Sequence, residues 1–168
     1  TIPANSTSIW IRVPTTQDGV YEGKETFQLQ ATLNGQTVTG NGSIVDDGTG
    51  LVPPEVPNTP SDEGVPDDDR PRVQGVSNAT AIEGGSSSIA KDLIFDVTLS
   101  NRSTTETTVT LALNTATTNG ATITGTALDI GVRSVSFDGG KTYTVFTGND
   151  IKVPANTDPT QIKAKLEV

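Results

Sequence analysis

The sequence predicts an all-β fold, an antiparallel β-sandwich of short strands, and three observations carry that expectation. Apolar residues recur in period two over short runs, as in Leu93-Phe95-Val97-Leu99 and Val109-Leu111-Leu113; this spacing turns one face of a strand inward. The runs are bounded by turn residues, among them Asn34-Gly35 and Asp138-Gly139-Gly140-Lys141, and many short strands between turns are the mark of a sandwich. No segment keeps an i, i+3, i+4 apolar stripe beyond about two turns, so long helices are not expected.

In chain order, residues 9–13 (Ile9-Trp10-Ile11-Arg12-Val13) alternate and read as a strand. The lone Trp10 reads as a cap on a sheet face rather than a sugar platform. Residues 26–33 and 36–45 form a hairpin across Asn34-Gly35, because both central positions of a type I′ turn need φ > 0. Between Gly48 and Arg72 the composition changes to Pro53, Pro54, Pro57, Pro60, Pro66 and Pro71, interleaved with acidic residues. Proline cannot donate to a sheet ladder and stiffens extended spacers, so this is a linker. Its Asp67-Asp68-Asp69 triplet reads as solvated charge, with cation ligation at a domain junction as the alternative. Strands are then expected over 72–76, 89–99, 107–113, 132–137, 143–146, 151–153 and 162–168, with a hairpin over 138–141.

Composition narrows the function classes. Hydrophobic residues make up 32% and aromatics 4% of the 168 residues, which predicts a thin core of Val, Ile, Leu and Ala. Twenty acidic residues against eleven basic ones give a net charge of −9, which argues against nucleic acid, whose phosphates need Lys and Arg, and against anionic membrane surfaces. No apolar run approaches the roughly 20 residues of a membrane span, and no signal peptide opens the sequence. Without cysteine there are no disulfides or thiolate metal sites, and without histidine the commonest general base is missing. An enzyme is therefore not expected; a carboxylate-pair glycosidase would want a pocketed pair, whereas these acids lie in turns and a linker.

The acidic turn residues are the candidate site. Asp18, Glu22 and Glu25 fall within eight residues, separated by Gly19 and Gly23, and Asp46-Asp47 ends the strand that follows. Loops at one end of a sandwich can gather such carboxylates, which would repel one another without a cation. Ca²⁺ is the fitting ion, since it takes 6–8 oxygen ligands from carboxylates and carbonyls.

Asp18-Gly-Val-Tyr-Glu22-Gly-Lys-Glu25-Thr-Phe27, followed by Gly42-Ser-Ile-Val-Asp46-Asp47, resembles the second half of an Ig-like, Calx-β-type domain. More closely, it resembles an extender repeat of the giant calcium-dependent RTX adhesins that Gram-negative bacteria export by type I secretion. Ala81-Ile-Glu83-Gly-Gly and Val135-Ser-Phe-Asp-Gly-Gly-Lys-Thr-Tyr143 fit the start and middle of such a repeat. The resemblance implies a Ca²⁺-stiffened structural extender at the bacterial cell surface, supporting adhesion and biofilm formation. Its neighbours would be further repeats of the same adhesin. It also implies Ca²⁺ ligation by Asp18, Glu22, Glu25, Asp46, Asp47 and Glu83, with fewer ions than usual because Gly19 and Gly48 stand where the family often has Asp. The alternative reading is a carbohydrate- or peptide-binding module using Trp10, Tyr21 or Tyr143.

An internal repetition sets the domain boundaries. Pro3-Ala4-Asn5 recurs as Pro154-Ala155-Asn156, and Thr7-Ser-Ile9-Trp-Ile-Arg-Val13 then aligns with Thr160-Gln-Ile162-Lys-Ala-Lys-Leu166, so a repeat architecture is weighed first. Residues 1–49 read as the C-terminal part of one sandwich repeat, 50–71 as the linker, and 72–168 as the N-terminal part of the next. An incomplete sandwich leaves an open edge, so residues 14–49 are expected to complete 72–168 within one chain or, by domain swapping, between chains. Closure within one chain would pack Phe27-Leu29-Ala31-Leu33 against Phe95-Val97-Leu99. Glu83, which belongs to the other repeat, could join the site only in a permuted or swapped assembly.

Overall fold

The structure, a computed structural model, describes residues 4–9, 11–49, 68–81, 92–114, 120–121 and 129–168. Nine strands and no helix occur among them, so the fold is all-β. Nothing among the described residues is a helix long and apolar enough to cross a membrane.

Strands β3 (Val73–Val76), β4 (Asp92–Leu99), β6 (Arg133–Ser136), β7 (Thr144–Val145) and β9 (Ile162–Glu167) form one sheet in the order β3-β4-β9-β6-β7. All its pairings are antiparallel. Strands β5 (Thr107–Thr110) and β8 (Asp150–Val153) form a second sheet. Period-two alternation aims one face of each sheet at the other. Val97 and Leu99 of β4, Ile162 of β9 and Val135 of β6 meet Val109 of β5 and Ile151 and Val153 of β8 in a single buried cluster. Leu166 is buried as well. The outer face is mostly polar, with Ile94 the exception on β4: β4 and β9 register Asp92 against Glu167 and Asp96 against Lys163. There Lys163 bonds Asp96, and Lys165 lies 3.4 Å from Asp92. Exposed pairs of this kind contribute little, about 0–1 kcal/mol, so the sandwich is held by its thin apolar layer.

The β6–β7 connection is organised by Asp138. Its carboxylate accepts the Ser136 and Thr142 hydroxyls at 2.7 and 2.6 Å and the Lys141 and Thr142 N–H groups at 2.9 and 3.0 Å. Gly139 and Gly140 take φ of 77° and 93°, a region costly for any residue with a Cβ.

The hairpin of β1 (Glu25–Leu33) and β2 (Gln36–Ile44) stands apart. Asn34 and Gly35 adopt φ of 50° and 78°, as the Asn-Gly turn requires. Its register places Phe27, Leu29, Ala31 and Leu33 beside Gly42, Gly40, Val38 and Gln36 on one face. The other face carries only Thr, Gln, Asn and Ser. Among the described residues the two strands pair only with each other, and every β1 residue is exposed, Phe27 by 39% and Leu33 by 69%. Packing of this strand on Phe95-Val97-Leu99 within the chain is therefore not what the structure contains. Both ends of the hairpin are held at one end of the sandwich instead.

Residues 11–13 are not a strand, and Ile9, Ile11 and Val13 are all more than half exposed. An alternating run gains strand hydrogen bonds only against a neighbour, and no described strand lies beside it. The repetition does have a structural echo. Asn5 and Asn156 occupy the same turn conformation, with φ of 66° and 63°.

Candidate functional site

The acidic turn lies where the hairpin joins the sandwich. Tyr21 donates its N–H to the Arg102 carbonyl at 3.0 Å and accepts the Thr104 N–H at 2.8 Å, a parallel bridge to Ser103. On the other side, the Asp69 N–H reaches the Asp46 carbonyl at 2.8 Å, and Asp47 bridges Asp68. The two ends of the hairpin are thus fixed by backbone bonds that depend on no particular side chain.

This anchoring gathers part of the expected ligand set. The Asp46 carboxylate accepts the Glu22 N–H through Oδ2 at 2.6 Å. Asp18 folds its carboxylate back onto the Val20 N–H at 2.9 Å, the local bond that Asp favours in turns. Glu22 is pushed above the usual carboxylate range, first by Glu25, then by partial desolvation, then by Asp18 and Asp46. Like charges that cannot separate raise a carboxyl pKa. Four of the six residues, Asp18, Glu22, Glu25 and Asp46, therefore bear on one another.

Asp47 is turned away from them. It accepts the Thr49 N–H at 3.0 Å and the Thr49 hydroxyl, bonds that hold its pKa low with help from Arg70. Glu83 lies outside the described residues. Asp68, read from sequence as solvated linker charge, is instead paired. Arg70 grips both of its oxygens, at 2.8 and 2.9 Å, and Arg72 adds a contact at 2.6 Å. The Asp68-x-Arg70-x-Arg72 spacing was the available signal for that cluster.

The fit to a hard dication rests on the donors and on one orphaned atom. Asp46 Oδ1 is buried and has no hydrogen-bond partner, an arrangement that costs free energy unless a cation or donor meets it. All four interacting groups are carboxylates, the ligand type Ca²⁺ prefers. Among the described residues no three such groups are placed to hold a metal as they stand.

The aromatic alternative gathers less. Tyr143 faces Lys165, whose Nζ lies 5.2 Å from the ring centroid, and Trp10 lies outside the described residues. Compared with known families, curated proteins and solved structures, the chain finds no significant match in any of the three.

Proposed function

We propose that this chain is a structural extender module of a large bacterial cell-surface adhesin, of the Ig-like, Calx-β-like kind, stiffened by Ca²⁺ where one unit meets the next. In this reading it is exported by type I secretion and works outside the cell beside neighbouring repeats. It positions other domains and catalyses nothing. The observation that carries the reading is the location of the acidic turn. Its carboxylates sit between the hairpin unit and the sandwich, at Tyr21–Ser103 and Asp46–Asp69, so a cation held there links two units.

Asp18, Glu22, Glu25 and Asp46 would hold the ion. Bound Ca²⁺ would supply the positive charge that their mutual repulsion calls for. This chain's own part is to fix the carboxylates on both sides of the junction through backbone bonds. Without the ion, repulsion opposes closing the junction; with it, the same charges resist opening.

Thermal unfolding across a Ca²⁺ titration, at constant ionic strength, tests the reading. A ligand that binds only the folded state stabilises by about 2.7 kcal/mol at a hundredfold excess over Kd. Extracellular modules bind Ca²⁺ in the range of about 10⁻⁴–10⁻³ M, so Tm should rise over low-millimolar Ca²⁺, and Asp46→Asn should abolish the rise. An unchanged Tm at about 10 mM Ca²⁺, an order of magnitude beyond that range, sinks the proposal.

A further inference from the structure

The sandwich carries an open apolar groove that the acidic junction does not use. It encloses about 250 Å³ and is lined by Phe95, Val97, Leu111, Phe146, Ala164 and Leu166, among others. Phe95, Ala164 and Leu166 belong to the inward face of β4 and β9. Leu111 continues β5, the edge strand of a sheet only two strands wide. Among the described residues the smaller sheet covers only part of the larger one, and no described strand pairs with the second edge of β5 beside the groove.

The molecule also carries an element shaped for such a gap. One face of the β1–β2 hairpin presents Phe27, Leu29, Ala31, Leu33, Val38 and Ile44, and the other is wholly polar. A two-stranded hairpin is marginal in water unless its apolar face is covered, and here that face is exposed.

We propose that the β1–β2 hairpin of one copy of this chain seats its apolar face in the Phe95–Leu111–Phe146 groove of a second copy, so that copies associate head to tail. Three observations single out this occupant. The first is chemical match: an apolar groove flanked by a free strand edge is a site for strand addition, in which main-chain bonds and alternating side chains are both satisfied.

The second is the internal repetition. Residues 9–13 precede the acidic turn and the hairpin, and their counterpart, 162–166, is β9, which lines the groove. A hairpin following a β9-like strand is therefore the element that the repetition pairs with this groove.

The third is the anchoring. The hairpin's ends are tied to Ser103 and Asp69, near the start of β5, whereas Leu111 and Leu113 line the groove beyond its other end. Seating in a second copy's groove leaves the Tyr21 and Asp46 backbone pairs in place, and closure within one chain is the competing outcome that the double variant reads. The contact is heterologous, joining two different surfaces, and so builds chains or rings rather than a closed pair.

The absence of cysteine makes the test direct. Leu29→Cys and Leu111→Cys are placed in separate chains, mixed, and oxidised in the presence of EDTA, so that the outcome does not depend on the cation. The expected product is a disulfide-linked heterodimer on a non-reducing gel, and a chain carrying both substitutions should give a ladder of multimers. Sedimentation of the unmodified chain should show mass rising with concentration. Leu29→Asp should hold it monomeric with an unchanged melting temperature, since that side chain is exposed in the single copy. A double variant that closes within one chain, or an unmodified chain that stays monomeric up to about 1 mM, overturns the proposal.

Discussion

Ile162→Ala is the sharpest test of where this thin-cored chain keeps its stability. Ile162 is 0% exposed and lies at the centre of the buried cluster, on a strand paired on both sides. Truncating a fully buried Ile costs about 2–5 kcal/mol, through lost transfer free energy and the cavity left behind. Only eight hydrophobic residues are buried among those described, so little surrounding structure is available to collapse into the space and the upper half of that range applies. A domain of about 100 residues has about 5–15 kcal/mol in total, so this one change removes about a quarter or more. Because 1 kcal/mol moves Tm by about 4–8 °C at this size, the expected fall exceeds about 10 °C. The control is Val145→Ala on edge strand β7, where the side chain is 63% exposed; it should stay within about 0.5 kcal/mol. Urea unfolding by fluorescence and circular dichroism, with an unchanged m-value, measures both. If Ile162→Ala costs under about 1 kcal/mol, or no more than Val145→Ala, the assignment of the core to the β4–β9–β6 layer is refuted.

Two electrostatic predictions follow from opposite pKa shifts. Glu22 is raised, mainly by Glu25, so its ionised form disfavours the folded state above the folded pKa, and the penalty vanishes below the unfolded value near 4.3. In EDTA at neutral pH, Glu22→Gln should slightly raise Tm, with the advantage gone below about pH 4, yet the same change should shrink the Ca²⁺-induced rise; a lower Tm in EDTA would contradict the repulsion argument. Asp138 is lowered well beneath the carboxylate range by the Thr142 and Ser136 hydroxyls and backbone N–H groups. Its stabilisation is complete above the unfolded pKa of about 3.9 and is lost as pH falls toward the folded one. Asp138→Asn should therefore melt lower at neutral pH, and the gap to the native chain should narrow in acid; a gap independent of pH would assign the effect to shape alone.

Much of the fold was legible because local chemistry determines it. The Asn34-Gly35 turn, the Leu93-Phe95-Val97-Leu99 face of β4 and the Asp138 turn all follow from residue type and period-two spacing. What the sequence could not supply was partnership. Residues 9–13 alternate as cleanly as β9 does, yet only β9 has neighbours on both sides. Phe27 and Val97 look alike as alternating apolar positions, but one is 39% exposed and the other 1%. The acidic turn was visible as a run of carboxylates. Its division was not: Asp47 goes to Thr49, while Glu22, Glu25, Asp18 and Asp46 remain together. Asp47's bonds to Thr49 are local, two residues apart, whereas the approach of Glu22 to Asp46 spans 24 residues and is a matter of tertiary placement.

The bridge between Asp47 and Asp68 has a mechanical consequence. It lets a pulling force pass from the hairpin unit to the sandwich without loading the chain between those two residues. The residues between them have a fully extended contour of roughly 70 Å. Under tension the few backbone bonds at Asp46–Asp69 and Tyr21–Thr104 would part before the buried layer unfolds, and the released length would absorb work while leaving that layer intact. If the chain works as the proposed extender, that corner would act as a resettable fuse, and the extender's stiffness would be set by whatever holds the corner shut.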